Sequence, residues 1–322
     1  MRLLVLGGTS FVGRHLAAAA ERAGHDLTLF HRGRTGADLF PTATRRHGDR
    51  ESGDYATLLD GPGWDAVVDV SAYVPRHVEQ AADALTGRVG HYVLVSSISA
   101  YDPAGTTDPT EAAALHPPLA VPVEQVSGLT YGPLKAGCER SARRRWEGRL
   151  AVVRPTYVVG PHDPTDRFTW WARRAAEGGR VPVAGAEAPL QLLDARDLGD
   201  FLLRAATRRL TGAYDATGPE RTVAETLAHL VPAGGRLELV EIPTAALEAA
   251  GARLPLVSTD PADWPAMRRS GARAREAGLQ VRPVPQTAAD TRAWDVARGR
   301  PPLRVGPTQE QEAEALTAAA ST

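Results

Sequence analysis

Through the first half of the chain, short apolar runs alternate with longer stretches that place apolar residues at helical spacing. RLLVLG, DLTLF, TRRHGD, DAVVDV and HYVLVSS read as strands; FVGRHLAAAAERAG and PRHVEQAADALTGR read as helices between them, with a short helix near YATLLD. Near-continuous apolar strands separated by helices predict a parallel sheet covered on both faces. From Asp102 to Val126 the rhythm stops, and prolines and mixed polar residues predict a loop over the carboxyl edge of the sheet, a lid of the kind that often carries substrate contacts. A helix through YGPLKAGCERSARRRW and a strand LAVVRP follow.

The second half is less regular. Helices are expected near RFTWWARRAAEGG, LGDFLLRAATRRL and VAETLAHLV, and a strand near RLELVEI; the tail after Pro307 reads as a terminal helix or a partly disordered segment. The expected fold is α/β: a doubly wound parallel sheet over residues 1–155, and a smaller interwoven α+β part over 156–322 from which a segment near 189–210 returns to the sheet.

Composition narrows the class. With 43% hydrophobic and 23% charged residues and a formal charge of −1, the chain is an ordinary globular one with no global attraction for nucleic acid or anionic lipid. Cys138 is the lone cysteine, so no intrachain disulfide forms, and it is expected to be buried and inert. The opening MRLLVLGG has too short an apolar run for a signal peptide or membrane span, which suggests a cytoplasmic protein with no membrane partner. His and Asp residues show no metal-ligand spacing, and no metal is expected.

Between the first strand and first helix stands GGTSFVG, with Gly7, Gly8 and Gly13. Glycines there let the chain turn tightly and let a dinucleotide's pyrophosphate approach the helix N-terminus, where free N–H groups and the dipole favour an anion. The fold is therefore Rossmann-type, with Thr9, Ser10, Phe11 and Val12 in the same turn as cofactor contacts. Ser10 stands where the dinucleotide fingerprint usually has its middle glycine, so its side chain must point away or bond the phosphate. The second strand ends LFHRGR, with His31 where an acidic residue normally accepts from the ribose 2′-hydroxyl, and Arg32 and Arg34 after it. A carboxylate would repel a 2′-phosphate and an arginine fork would bind it, so the expected cofactor is NADP(H) rather than NAD(H). Asp49 is placed to reach the adenine, and Ser71, Ala72 and Pro155 complete the expected cofactor set.

One residue breaks the composition. Lys135 is the single lysine among 37 basic residues, four positions after Tyr131 and therefore on the same helix face. VSSISAY, ending at Tyr101, precedes the long loop and closes the fifth strand. Together with the glycine turn, these residues resemble the Ser, Tyr-x-x-x-Lys constellation of short-chain dehydrogenase/reductases. Glu139, VVRPTYVVGP at 152–161 and LLDARDLGDFL at 192–202 are similar to the extended branch, the NAD-dependent epimerases and dehydratases. GGTSFVG, FHRGR, DRFTWWARRAAEGG and DTRAW resemble an atypical subgroup that includes plastid stem-loop-binding proteins and bacterial reductases.

The resemblance implies roles. Tyr131 would exchange a proton with a substrate carbonyl or hydroxyl, Ser97 would bond the same oxygen, and Lys135 would bond the nicotinamide ribose while favouring the Tyr131 phenolate. Ser97 is preferred to Ser96 because it lies four residues before Tyr101, the usual family spacing. Ile98 and Ser99 stand where sugar-nucleotide dehydratases carry an acid pair, which makes dehydration of a sugar unlikely chemistry here. Ser99, Tyr157 and His162 are expected to border a small-molecule substrate; Asp108, Glu111 and His116 are read mainly as solvated loop residues. The leading expectation is an NADPH-dependent reductase or the reverse dehydrogenase. An epimerase with bound cofactor, and a non-catalytic nucleotide-bound or RNA-binding protein, remain open; a homodimer is implied only by analogy.

Overall fold

In the computed structural model the run RLLVL becomes β1 (Arg2–Leu6), whose last four residues are buried. Residues 1–36, 38–105, 108–121 and 123–320 are described. After β1 come α1 (Phe11–Arg22), β2 (Asp26–His31), β3 (Thr44–His47), β4 (Ala66–Asp69), α2 (Pro75–Leu85), β5 (Tyr92–Val95), α3 (Tyr131–Arg145) and β6 (Leu150–Pro155). Then follow β7 (Tyr157–Val159), α4 (Arg167–Glu177), β8 (Gly179–Val183), β9 (Leu192–Asp194), α5 (Ala195–Thr207), β10 (Gly212–Ala216), α6 (Val223–Leu230) and β11 (Leu237–Glu241). The chain ends with α7 (Thr244–Ala249), α8 (Trp264–Met267), α9 (Ala272–Glu276), α10 (Val284–Ala297) and α11 (Gln309–Ala320).

Two units divide the chain. The first holds Met1–Thr156, Ala195–Thr217 and Arg269–Gln280. Its seven parallel strands run in the order β10–β6–β5–β4–β1–β2–β3, so the strand order reverses direction at β1, where open α/β sheets bind ligands beyond their carboxyl ends. Every residue of β4, β5 and β6 is buried, as a sheet covered on both faces requires. Under α2 and α3 lies a core of Leu4, Leu6, Val67, Val78, Leu85, Leu94 and Trp146, with Trp146 stacked on Tyr92 at 4.6 Å. Each such aliphatic side chain contributes about 1.5–3 kcal/mol by leaving water. Helix α1 stops in a turn that sends the His25 N–H to the Ala20 carbonyl, and Pro75 opens α2 where no N–H is needed.

The return of 269–280 to this unit is not among the expected boundaries. Its helix, ARARE, is five residues long and has no apolar face to announce it.

The second unit holds Tyr157–Asp194, Gly218–Arg268 and Val281–Thr322. It contains two short parallel ladders, β8 with β11 and β7 with β9. Its core gathers Phe168, Trp170, Trp171, Val181, Leu190 and Leu227, and Trp171 donates to the Pro255 carbonyl at 2.6 Å. The C-terminal tail is the helix α11, held by both carboxylate oxygens of Glu312 on Arg174 Nε at 2.9 Å.

Candidate active site

At the end of β1 the chain turns through Gly7 (φ 114°) and Gly8 (φ 103°), a region that side chains rarely tolerate. A Cβ on Gly7 would lie 2.6 Å from Val70 Cγ2, and one on Gly13 would lie 2.6 Å from the Gly8 nitrogen. The turn is thus pressed against the first turn of α1 with no room for a side chain. Ser10 occupies the cap position with extended backbone, is exposed, and makes no capping bond. The first N–H groups of α1 are left for a ligand, and the odd serine leaves the cradle intact. Thr9 bonds Thr35 through their hydroxyls at 3.1 Å, Phe11 packs edge-on to His15, and Val12 is half-buried.

At the end of β2, His31 is buried and its Nδ1 accepts from the Gly33 N–H at 2.9 Å. Its Nε2 has no partner, and burial, then the neighbouring His47 and Arg45, hold its pKa below the ordinary value. The neutral ring therefore carries its proton on Nε2 and offers no free acceptor. Arg32 is exposed, and Arg34 lies 3.9 Å from Asp49, whose other oxygen accepts from the Glu51 N–H.

Beneath the cradle, Arg50 grips Asp69 through both guanidinium ends at 2.5 and 2.8 Å and also donates to Ser71 Oγ, the His77 carbonyl and Tyr55 Oη. Ser71 passes its own proton to the Leu6 carbonyl at 3.0 Å, so its hydroxyl fixes the glycine turn to β4 and is fully engaged. Sequence reasoning missed Arg50 and Asp69. Pro155 ends β6, buried, in register with Ala216.

Lys135 is buried, and its ammonium donates to the carbonyls of Ala72 at 2.8 Å and Val95 at 2.9 Å, joining the ends of β4 and β5. The Tyr131 ring, half-buried on the first turn of α3, has its centroid 6.0 Å from that ammonium. Ser97 caps a 3-10 turn over Ile98–Ala100, its oxygen accepting from the Ser99 N–H at 3.1 Å, which leaves the hydroxyl proton to donate elsewhere. Ser96 instead gives its proton to Glu139 at 2.7 Å. Of the two serines, Ser96 therefore has its proton committed to a carboxylate and Ser97 has its oxygen committed to an N–H. The two halves of the site meet at Gly132, where a Cβ would sit 2.3 Å from the Ser99 carbonyl and 2.9 Å from His116 Nε2.

His116 is therefore no solvated loop residue. Its N–H bonds the Ala100 carbonyl at 3.0 Å, its carbonyl accepts from Arg140 at 2.7 Å, and its ring lies against the residue after Tyr131. Other described residues of the long loop are similarly strapped down. Arg269 donates to the carbonyls of Asp108 and Thr110, Arg154 to that of Glu111, and the Glu111 carboxylate accepts from the Asp215 N–H at 2.9 Å. Arg76 holds Glu124 in a fork at 2.8 and 2.9 Å. Tyr101 sits at the centre of the strap, between the guanidiniums of Arg154 and Arg269, and donates to Asp215 at 2.6 Å. Arg154 closes the circuit on Glu139 at 2.7 and 2.8 Å.

Tyr157 and His162 belong to the second unit. Arg167 stands over the Tyr157 ring at 5.7 Å, and the His162 ring meets Trp294 edge-on at 5.3 Å. Cys138 is buried, and burial pushes its thiol up to about 12, too high for a nucleophile at neutral pH. Among the described residues, no group of three or more His, Cys, Asp or Glu is arranged to hold a metal, and no helix is long and apolar enough to cross a membrane.

Residues 3–215 match the NAD dependent epimerase/dehydratase family. The chain belongs to that family. Among curated proteins it is similar to chloroplast stem-loop binding protein of 41 kDa b from Arabidopsis thaliana, 25% identical over 63% of this chain and 54% of that one. It is also similar to 2′-dehydrokanamycin reductase from Streptomyces kanamyceticus, 30% identical over 63% of this chain and 57% of that one. The chain thus spans just over half the length of these relatives. Among solved structures it shares the fold of the Bordetella bronchiseptica enzyme WbmH in complex with NAD+, with a TM-score of 0.66 and 18% identity over 93% of this chain and 100% of that one. Membership of the family and the parallel seven-stranded sheet agree with the resemblance read from the glycine turn and the Tyr-x-x-x-Lys pair.

Proposed function

We propose that this protein is an NADP(H)-dependent reductase, or the reverse dehydrogenase, acting on a carbonyl, imine or alcohol of a small molecule. The observation that carries the reading is the Lys135 ammonium, fixed by two strand-end carbonyls one helical turn from Tyr131, beside a serine turn whose hydroxyl proton is uncommitted. The cradle supports a bound dinucleotide: its glycines leave no space for a Cβ, and the N-terminus of α1 is uncapped.

When bound, the nicotinamide supplies hydride exchange with the substrate carbon. Tyr131 gives its hydroxyl proton to the oxygen of a carbonyl being reduced, or takes one from an alcohol being oxidised. Ser97 donates to the same oxygen and holds it against Tyr131. Lys135, a compact cation with one donor to spare, bonds the ribose and stabilises the phenolate left after proton transfer.

A preference for the 2′-phosphate is supported by the end of β2. His31 spends its acceptor nitrogen on Gly33, and the exposed Arg32 and Arg34 suit a phosphate better than a hydroxyl. An epimerase using the same three residues is the second reading, favoured by the family match. An RNA-binding role draws no support from RSARRRW: Arg143 pairs with Glu139, Arg144 with Glu79 and Arg145 with Asp83. A cytoplasmic homodimer accompanies the proposal, and light scattering on a size-exclusion column giving a monomer mass would remove the dimer.

The decisive experiment follows NADPH oxidation with a panel of ketones and aldehydes, cyclohexanone and benzaldehyde first, for the wild type and two variants. Tyr131→Phe should keep cofactor affinity and lose roughly 100- to 10,000-fold in turnover. Lys135→Arg should fold normally and lose at least about 100-fold, because a planar guanidinium cannot occupy the seat of the ammonium without displacing the ribose. Full activity in either variant sinks the assignment. Conversion of a substrate to its stereoisomer with no net NADPH consumption selects the epimerase.

A further inference from the structure

Lys135 presents an electrostatic puzzle that the proposed reaction does not resolve. Its ammonium is buried, with 3% of the residue exposed, and among the described residues no carboxylate forms an ion pair with it. A buried charge without a counter-ion is costly, and two carbonyl dipoles answer only two of its three N–H groups. The nearest aromatic face belongs to Tyr73, whose ring centroid lies 5.3 Å from the ammonium, closer than that of Tyr131. Tyr73 directly follows Ala72, so one short stretch after β4 supplies both a carbonyl and a ring to the same cation. Its neighbours Ala72 and Val74 are buried, yet Tyr73 is 46% exposed: the ring has the buried ammonium over it and is also reached by solvent.

We infer that Tyr73 is a positioning residue for Lys135. The negative face of its ring compensates the ammonium that lacks a carboxylate and holds it against the two carbonyls, leaving the third N–H turned to the ribose of the dinucleotide. A carboxylate in that place would neutralise Lys135 and compete for the donor the cofactor needs. An aromatic face attracts the cation and takes no hydrogen bond from it. The inference rests on the cofactor reading above and adds to it a residue that the Ser, Tyr, Lys constellation does not include.

The test separates the ring face from the hydroxyl and from bulk. Tyr73→Phe keeps the face and loses the hydroxyl, whereas Tyr73→Leu keeps apolar bulk and loses the face. The dissociation constant of NADPH, read from its fluorescence, should stay within about twofold in Tyr73→Phe and rise about tenfold in Tyr73→Leu, the scale of a partly desolvated cation–π contact. The thermal midpoint should match the wild type in Tyr73→Phe and fall slightly in Tyr73→Leu, where the buried ammonium loses the ring face. Unchanged affinity in Tyr73→Leu, or equal losses in both variants, overturns the inference. A wild type that binds NADPH but reduces no carbonyl would defeat the reductase reading while the two affinities still decide the role of Tyr73. Failure of the wild type to bind any dinucleotide would defeat both.

Discussion

Asp69 on β4 and Asp215 on β10 both lie buried against an arginine near the carboxyl edge of the sheet, and they are held in different ways. Burial pushes the Asp69 carboxyl up, but the Arg50 charge and fork, with bonds from Tyr92 and Ser71, pull it below the ordinary value. Burial also pushes Asp215 up, and there Tyr101 and Arg269 recover only part, so it remains raised. The difference lies in how each arginine spends its donors. Arg50 gives two to its carboxylate and others to Tyr55, the His77 carbonyl and Ser71, which in turn bonds the Leu6 carbonyl at the glycine turn. Arg269 meets Asp215 through Nε and turns its other two nitrogens to the loop carbonyls of Asp108 and Thr110. One network serves a carboxylate under the cofactor cradle; the other uses a carboxylate as the footing for a strap beside Ser97 and Tyr131.

Removing Arg269 is the harshest way to test that contrast. Arg269→Met strands a buried carboxylate and should cost about 3–5 kcal/mol in denaturant unfolding. It should also speed amide exchange over residues 108–116, while NADPH affinity in the folded fraction holds. Adding Asp215→Asn should recover part of the stability and none of the exchange protection. If the double variant recovers protection as well, the strap depends on the charge of Asp215 rather than on the Arg269 donors. Arg50→Met should fall in the same range, because Asp69 loses both arms of its fork and keeps only the Tyr92 and Ser71 bonds. Its signature is weaker NADPH binding, through Ser71 and the Leu6 carbonyl, with loop exchange unchanged.

These networks were the least legible part of the chain. The glycine turn, the strands and the spacing from Tyr131 to Lys135 are local patterns, and period and composition expose them. The loop was also recognisable as a loop. What holds it comes from Arg76, Arg140, Arg154 and Arg269, spread over most of the chain in a composition so rich in arginine that none stands out. The bias that hides the arginines is what makes Lys135 visible. Among the loop residues, Glu111 and His116 were read as solvated because their partners, Asp215 and Gly132, are far away in sequence or carry no side chain to signal contact. In the second unit, β7 and β9 are too short, and β8 too polar at its start, to register as strands.

Acid should separate the two carboxylates with a smaller effect. The folded-state pKa of Asp69 is lowered, so its contribution is fully present above the ordinary aspartate value of about 3.9 and is lost as pH falls through the lower folded value. Asp215 is raised, so the native state binds its proton first and acidification from neutral pH favours folding at that site. Urea midpoints measured against pH should therefore show Asp69→Asn losing part of the acid sensitivity of the wild type, and Asp215→Asn steepening what remains. The reverse pattern would mean that Arg269, not Arg50, supplies the stronger clamp.

The smallest effect is expected where the loop is pinned at the surface. Glu124 is held by Arg76, but the pair is partly in solvent, with side-chain exposures of 54% and 30%, and such pairs contribute at most about 1 kcal/mol. Arg76 also donates to the carbonyls of Arg50 and Glu51, so it keeps its place when Glu124 is removed. Glu124→Ala should then leave the global unfolding midpoint nearly unchanged and raise amide exchange only over residues 123–129, ahead of Tyr131. The turn there has its own bonds, from Thr130 to the Gln125 carbonyl and between Ser127 and Thr130, and these should keep α3 in register. Exchange that spreads back to 108–116 would show that the two ends of the loop are not pinned independently, and that the strap under Arg269 is held in part from the surface.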